Sequence, residues 1–194
     1  MEKFSGNNWF KLYCCYLETR SKGLKPQAKA MMQECIDKWG LEDKKFRREF
    51  INWAYTEAFL SKKYSAFLPE NLVREIITLE LNQWINEEPT NPIPYRWTLN
   101  LISIEKAIIL NPNDELTLYV YGRILSSGII INQHDIDRYG HYSGDPIMDI
   151  KNIKFFLSFI ENILDEDKKT RLNVLMESLL NKAIIFIKNQ SKID

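Results

Sequence analysis

The chain has 194 residues, and its 26 Lys and Arg residues balance 26 Asp and Glu residues, so the formal net charge is zero. Hydrophobic residues make up 45% of the sequence and aromatic residues 12%. This hydrophobicity without net charge excludes intrinsic disorder, and seven Gly with seven Pro are too few for a turn-rich all-β domain. The length fits one domain whose core needs no metal or disulfide for its stability.

The cysteines and the N-terminal sequence predict a protein of the cytoplasm. Cys14, Cys15 and Cys35 form a poor disulfide framework, and we interpret them as small buried hydrophobes. The first residues contain no apolar core of a secretory signal, and no uncharged apolar stretch approaches the ~18 residues of a membrane span. We therefore expect no membrane association, no resident metal and no cofactor.

Apolar residues recur at helical spacing throughout the N-terminal half. This spacing predicts helices over about 9–22, 26–39, 42–63 and 69–86. Pro26 favours the first turn of the second helix, and Gly40 is typical of the residue that follows a helix. Three prolines between positions 89 and 94 end the fourth helix, because proline cannot continue a helix.

The second half of the chain predicts shorter helices, an irregular segment and a closing hairpin. Helices are expected over 95–110 and 114–127. Residues 128–148 show no sustained period, so we expect a loop, in which Ile129, Ile130 and Ile131 could form a strand. A helical hairpin is expected over 149–190.

These elements predict one all-α domain of about eight or nine helices, arranged as antiparallel hairpins. Residues 1–194 are expected to form this single domain. Its expected sub-parts are N-terminal helices over 1–88, repeat-like hairpins over 89–127, the irregular loop over 128–148 and the C-terminal hairpin over 149–190.

Residues 105–122 read EKAIILNPNDELTLYVYG and resemble the junction between two tetratricopeptide repeats. In that family a small Ala closes one helix, a Pro ends it, and a Gly eight residues into the next helix permits a close approach. The residues at these places are Ala107, Pro112 and Gly122. The stretch 89–91, followed by Tyr95 and Trp97, resembles a second junction. The two prolines, Pro89 and Pro112, lie 23 residues apart, against a family period of about 34. The resemblance therefore implies one or two degenerate repeats over 89–125, or a single helical hairpin with the same packing.

Polar, chemically capable side chains cluster in the segment 134–145. Histidines and carboxylates at short spacing can hold a metal or act as an acid–base pair. The His134–Asp135 doublet is similar to that of the metal-dependent phosphohydrolases, which need further histidines that this chain lacks. We therefore do not expect an enzyme. The alternative is a metal-dependent hydrolase that uses this loop, with His134, Asp135, Asp137 and His141 as its metal group.

Charge is distributed unevenly along the sequence. Residues 1–64 carry a net charge of +5, residues 65–150 carry −7, and residues 151–194 carry +2. An acidic region favours a basic partner and raises its association rate, although acidic helix faces also simply keep proteins soluble. The basic run 44–48 suggests an alternative RNA contact through Lys44, Lys45, Arg47 and Arg48. The whole chain lacks the basic balance of nucleic-acid binders, so we do not expect nucleic acid as the partner.

The favoured hypothesis is a non-catalytic protein-binding module whose acidic middle and 128–148 loop dock a basic protein, since helical-hairpin stacks commonly present binding surfaces. In kind, the chain resembles the immunity proteins of bacterial toxin systems, which are small cytoplasmic proteins that mask a toxin. This resemblance implies that the chain neutralises a toxin domain, and its Asn-, Ile- and Lys-rich usage is typical of a low-GC bacterium. A homo-oligomer stays open, because balanced charge does not repel a second copy. The candidate partner-binding residues are Tyr95, Trp97, Asp114, Glu115, His134, Asp135, Asp137, Tyr139, His141, Tyr142 and Asp145.

Overall fold

The computed structural model describes residues 2–61 and 67–190, and these residues form helices and turns without a β-strand. The predicted all-α class is confirmed. Within the same ranges, no helix is both long and apolar enough to cross a membrane.

The chain divides into two compact units, Met1–Trp97 and Thr98–Asp194. This division falls inside the stretch predicted as repeat-like hairpins, and the predicted single domain stays a prediction.

The described residues of the first unit form a short 3₁₀ helix (Glu2–Phe4), four long α-helices and one short α-helix. The α-helices are α1 (Asn8–Ser21), α2 (Lys25–Trp39), α3 (Lys44–Ser61), α4 (the consecutive segments Glu70–Leu72, Val73–Ile77 and Thr78–Glu87) and α5 (Pro92–Trp97). The middle segment of α4 is a π-helical turn, in which the Thr78 hydroxyl donates to the Val73 carbonyl at 2.8 Å. The last residues of the predicted third helix, Lys62 and Lys63, lie outside the described residues.

Aromatic rings form the core of the first unit. Phe50 is fully buried, and its ring meets those of Trp9 and Tyr13 edge-on, with centroids 4.7 and 5.1 Å apart. Edge-to-face packing of this kind is the geometry that aromatic quadrupoles favour. All five tryptophans of the chain lie in this unit, so tryptophan fluorescence reports on the first unit alone.

The three cysteines differ in exposure. Cys35 is buried on α2, and burial raises the pKa of its thiol to about 12. Cys14 is half-buried, and burial also raises its pKa. Cys15 is exposed on α1, because it lies on the opposite side of the helix from the buried Tyr13 and Tyr16 rings. The interpretation of all three cysteines as buried hydrophobes is therefore wrong for Cys15.

The second unit contains α6 (Leu101–Leu110), α7 (Glu115–Gln133), α8 (Ile136–Tyr139), α9 (Pro146–Leu157) and α10 (Glu166–Gln190). Side chains of Asn100, Asp114 and Asp145 accept hydrogen bonds from the first N–H groups of α6, α7 and α9. The helix predicted over 95–110 is divided between the two units. Leu99 has a left-handed backbone with φ of 56°, which breaks the helix, and Asn100 starts the next one.

α7 continues through the first part of the segment predicted as a loop. The prediction ended this helix at Ser127, whereas the structure extends it to Gln133. Leu125, Ile129 and Gln133 follow one another at a spacing of four residues and are all buried, so the helical period continues with a polar residue in its last position. The suggested strand over 129–131 and the loop start at Gly128 are therefore wrong.

Gly122 lies where helices of the second unit approach closely. A Cβ atom at this position would lie 3.0 Å from Cζ of Phe156 on α9 and 3.4 Å from a methyl carbon of Leu172 on α10. Both neighbouring side chains are buried and have little room to move. The glycine singled out in the repeat-like junction is thus a position of close approach, while the repeat resemblance itself stays a prediction.

We expect Gly122→Ala to lower the free energy of unfolding by about 1–3 kcal/mol, because the added methyl group overpacks the Phe156 ring. Gly128→Ala is the matched control on the same helix, since nothing lies within 4 Å of its Cβ position. This second change should stabilise the protein by about 0.5–1 kcal/mol, because alanine favours a helix. Urea unfolding followed by circular dichroism measures both changes, and equal effects of the two substitutions would contradict the packing described.

Candidate functional site

Residues 134–145 connect α7 to α9, and together with the first three residues of α9 they form the segment 134–148. This segment contains most of the candidate partner-binding residues. Gly140, with φ of 62°, takes the left-handed conformation that ends the short helix α8. The Ser143 N–H then donates to the Asn132 carbonyl at 2.9 Å, which holds the segment against the end of α7. The segment is therefore attached to the helical core of the second unit between its two ends.

A buried network of hydrogen bonds fixes this segment against the neighbouring helices. The Asp149 carboxylate is 8% exposed and accepts hydrogen bonds from the Tyr142 hydroxyl at 2.7 Å and the Asn132 amide at 2.9 Å. The Gln133 amide donates to the Leu179 carbonyl at 2.8 Å and to the Tyr142 hydroxyl at 3.4 Å. Burial, together with the hydrogen bond to Asp149, raises the pKa of Tyr142 above its ordinary value, so the hydroxyl keeps its proton.

Three aromatic residues predicted as partner contacts lie in the core instead. Trp97 is fully buried, and its indole N–H donates to Asn52 Oδ1 at 2.8 Å. Tyr95 is buried on the same short helix, and its hydroxyl donates to the Pro89 carbonyl at 3.1 Å. Tyr142 is buried by the network described above. Each of the three rings packs inward and its polar atom has a partner within its own unit, so the structure gives no support to a contact with a partner, and that role stays a prediction.

Two further candidates, Asp114 and Glu115, stabilise the start of α7. Asp114 accepts hydrogen bonds from the Thr117 N–H at 3.2 Å and from its hydroxyl at 2.9 Å. Glu115 accepts a hydrogen bond from the Asp165 N–H at 3.4 Å and lies 3.9 Å from Nζ of Lys168. Asp114 therefore caps α7 and Glu115 contacts the start of α10, while their role in partner binding stays a prediction.

The other candidate side chains lie at the surface of the segment. They are His134, Asp137, Tyr139, His141 and Asp145, with Asp135 partly exposed. Tyr139 is 68% exposed, and the Asp137 carboxylate pairs with Nζ of Lys182 on α10 at 2.7 Å. The exposed or partly exposed candidates of this segment are therefore one tyrosine, two histidines and three carboxylates.

A groove lies beside this surface, between α8 and the C-terminal part of α10, with a volume of about 1020 Å³. Its apolar wall is formed by Ile136, Ile185 and Phe186, and its remaining lining is polar: Asp137, Gly140, Ser178, Asn181, Lys182, Asn189 and Gln190. The α10 positions repeat every three or four residues, so they form one face of the helix over more than three turns. Sequence reasoning missed this face. Positions 184–187 are all apolar, and four consecutive residues cannot all face one core.

The described residues contain no group of three or more His, Cys, Asp or Glu side chains placed to hold a metal ion. The Nδ1 atom of His134 lies 2.9 Å from an oxygen of the adjacent Asp135, and Asp137 pairs with Lys182. The hydrolase alternative requires these residues to converge with His141. Because they do not converge, the geometry offers this alternative no support.

The basic run 44–48 lies on the first turns of α3 and faces α4. Arg48 is buried, and its guanidinium forms ion pairs with Glu87 and Glu88 and lies 3.6 Å from Glu80. A buried guanidinium needs several acceptors to offset its lost hydration, and Glu87 and Glu88 each accept a hydrogen bond from it. The Nε atom of Arg48, 3.6 Å from Glu80, has no hydrogen-bond partner in the described residues, so Glu80 adds charge attraction alone. Arg48 is therefore a structural residue of the first unit.

Two more residues of this run also have carboxylate partners. Arg47 Nε lies 3.0 Å from Glu80, and Lys44 Nζ lies 2.9 Å from Glu87. Only Lys45 of the four basic residues forms no ion pair with the part of the chain that the structure describes. The RNA alternative required all four side chains to face phosphate, so the structure removes most of its proposed contact.

The same ion pairs change the interpretation of the charge distribution. The acidic stretch 65–150 spans both units, and three of its carboxylates pair with α3. The first unit has 15 basic and 13 acidic residues, a net charge of +2, and the second has 11 and 13, a net charge of −2. The acidity of the stretch 65–150 is therefore partly neutralised by ion pairs inside the first unit.

The ion-pair cluster predicts acid sensitivity of the first unit. Hydrogen bonds from Lys44, Gln83 and Arg48 lower the pKa of Glu87 from 4.5 to about 2. A lowered pKa in the folded state means that this stabilisation is present above pH 4.5 and is lost as the pH falls toward 2. Urea unfolding followed by tryptophan fluorescence should show a larger loss of stability between about pH 6 and about pH 3 for the wild type than for Glu87→Gln. Equal losses would contradict this role of Glu87.

We expect Tyr142→Phe to lower the free energy of unfolding by about 1–3 kcal/mol, because it leaves a buried Asp149 oxygen without its hydroxyl donor. Tyr139→Phe removes the same atom from an exposed ring and should change stability by less than about 0.5 kcal/mol. Chemical unfolding of the two variants under identical conditions makes the comparison. If both variants matched the wild type, the network would not stabilise the segment.

No protein-family model, curated protein or solved structure matches this chain. The resemblances to tetratricopeptide repeats and to immunity proteins therefore stay predictions from the sequence. The features that bear on function are physical ones: an exposed polar segment, the buried network that fixes it, and the groove between α8 and α10.

Proposed function

We propose that this chain is a non-catalytic protein-binding module, and that the segment 134–148 and the adjacent groove contact its partner. The observation that carries the proposal is that exposed side chains are presented by a segment held through buried hydrogen bonds, chiefly that of Tyr142 with Asp149. A surface fixed before binding loses little conformational entropy when a partner docks. Such a surface is what a binding module needs and what a simple connector does not.

The chemistry of this surface suits a protein partner. The segment and the groove expose large apolar side chains as well as carboxylates: Tyr139, Ile147, Met148 and Ile185, with Asp135, Asp137 and Asp145. Burial of apolar area contributes about 25 cal/mol per Å², and tyrosine and methionine are enriched at interfaces. The carboxylates add a preference for basic groups on the partner and raise the association rate.

In its finer form, the proposal is that the partner is a bacterial toxin domain and that the chain acts as its immunity protein in the cytoplasm. The resemblance in kind supports this form, as do the exposed carboxylates, because toxins that act on nucleic acid tend to be basic. The low-GC residue usage of the chain agrees with a bacterial source.

The test is a pull-down with the tagged full chain from the native organism's lysate at moderate salt, read by mass spectrometry. The test variant combines Asp135→Asn, Asp137→Asn and Asp145→Asn. Asparagine at position 145 still caps α9, so the fold is kept. We expect the wild type to capture one stoichiometric basic protein, and the triple variant to capture about 10-fold less, since each rim charge contributes modestly.

The matched control removes three exposed carboxylates of the first unit by Glu18→Gln, Glu34→Gln and Asp37→Asn. This control should capture as much partner as the wild type. A bait without a stoichiometric companion, or equal capture by the two triple variants, contradicts the proposal. Stoichiometric metal in the same purified sample, lost on His141→Ala, would instead support the hydrolase alternative.

A further inference from the structure

We propose a second binding site, in the first unit, for a small planar molecule that carries a carboxylate. A pocket of about 460 Å³ opens between α3, α4 and α5, and this volume is within the range of small-molecule sites. Its lining residues are Lys44, Lys45, Arg48, Glu49, Asn52, Trp84, Glu88 and Ile93. The proposal is independent of the protein-binding surface, because every lining residue belongs to the other unit.

The apolar part of the pocket is a fixed wall. The Trp84 indole N–H donates to Glu88 at 3.0 Å, and the Arg48 guanidinium carbon lies 5.2 Å from the Trp84 ring centroid. These two contacts hold the indole in one orientation, and Ile93 adds an aliphatic surface. Trp84 is 5% exposed and Arg48 lies over its ring, so a ligand ring contacts only the part of the indole that faces the pocket, together with Ile93. The gain for the ligand ring is apolar burial against this wall.

Asn52 provides a directed donor in the same pocket. Its Oδ1 atom accepts the Trp97 indole N–H at 2.8 Å, which fixes the orientation of the amide because an indole N–H can only donate. The Nδ2 atom then has no acceptor among the residues described. Asn52 is only half-buried, so this N–H is open to solvent and can donate to an acceptor of a ligand in the pocket.

The charged side chains of the pocket favour an anionic ligand over a cationic one. The Lys45 ammonium is exposed and has no carboxylate partner in the described chain, whereas Lys44 and Arg48 pair with glutamates. The pocket's carboxylates are already engaged: Glu49 pairs with Lys3, and Glu88 binds Arg48, Trp84 and Asn91. The two groups left without a partner, an ammonium and an amide N–H, both favour an anionic oxygen. A carboxylate fits them, and a cationic ligand does not.

The test is a titration of the isotope-labelled full chain with phenylacetate, followed through the NMR signals of the Trp84 indole N–H and the Asn52 side-chain NH₂. We expect both signals to shift in a saturable way, with a Kd on the order of 1 mM for a ligand of about ten non-hydrogen atoms. Acetate tests the carboxylate alone, and benzyl alcohol tests the ring alone. Each should bind at least about 5-fold more weakly than phenylacetate if ring and carboxylate both contribute.

Two variants assign the contacts. Asn52→Asp keeps an oxygen for the Trp97 indole but places a negative charge at the donor position, so phenylacetate affinity should fall by at least about 10-fold. Lys45→Gln should weaken binding by about 2- to 5-fold, as expected for one exposed charge, whereas Lys11→Gln on α1 should leave it unchanged. Absence of saturable shifts, equal affinity for benzyl alcohol, or wild-type affinity in Asn52→Asp would overturn the proposal.

Discussion

The hydrogen bond from the Tyr142 hydroxyl to the Asp149 carboxylate is the interaction on which the candidate surface depends. A carboxylate that is 8% exposed is costly unless donors replace its lost water, and here one donor comes from α7 and the other from the segment itself. Satisfying Asp149 therefore positions the 134–148 segment. The short helix α8 and its flanking turns hold the exposed groups of the segment in place. A free loop of the same sequence would not hold them.

Ion pairing explains why the charge along the sequence does not predict the charge of the surface. Carboxylates at 80, 87 and 88 raise the acidity of the middle of the sequence, but in the fold they surround the buried Arg48 guanidinium. A charge that is paired inside a unit is largely neutralised, so it contributes little to the long-range attraction of a binding partner. What remains for a partner is local: a few carboxylates beside exposed apolar side chains in the second unit, and Lys45 beside the pocket of the first.

The helical class and most helix positions could be predicted from the sequence, because the 3.6-residue period survives wherever the buried face is apolar. The prediction failed for residues 128–133, since Ser127 and Gly128 resemble the end of a helix and the three consecutive isoleucines that follow show no helical period. The burial of Tyr95 and Trp97 could not be predicted either, because a ring near the end of a helix can face the core or the solvent and only tertiary contacts decide. The groove along α10 depends on which helix faces stay uncovered, and no local pattern contains that information.

Hydrogen exchange of the free protein tests the central claim most directly, because the claim is that the partner surface is fixed before any partner binds. The Ser143 amide is the reporter, since its N–H donates to the Asn132 carbonyl at 2.9 Å in the middle of the segment. We predict that this amide exchanges slowly, within about 10-fold of the interior amides of α9, because opening it requires breaking the Tyr142–Asp149 bond. Exchange at the rate of an unprotected amide would contradict the account, because the segment would then be an ordinary mobile connector.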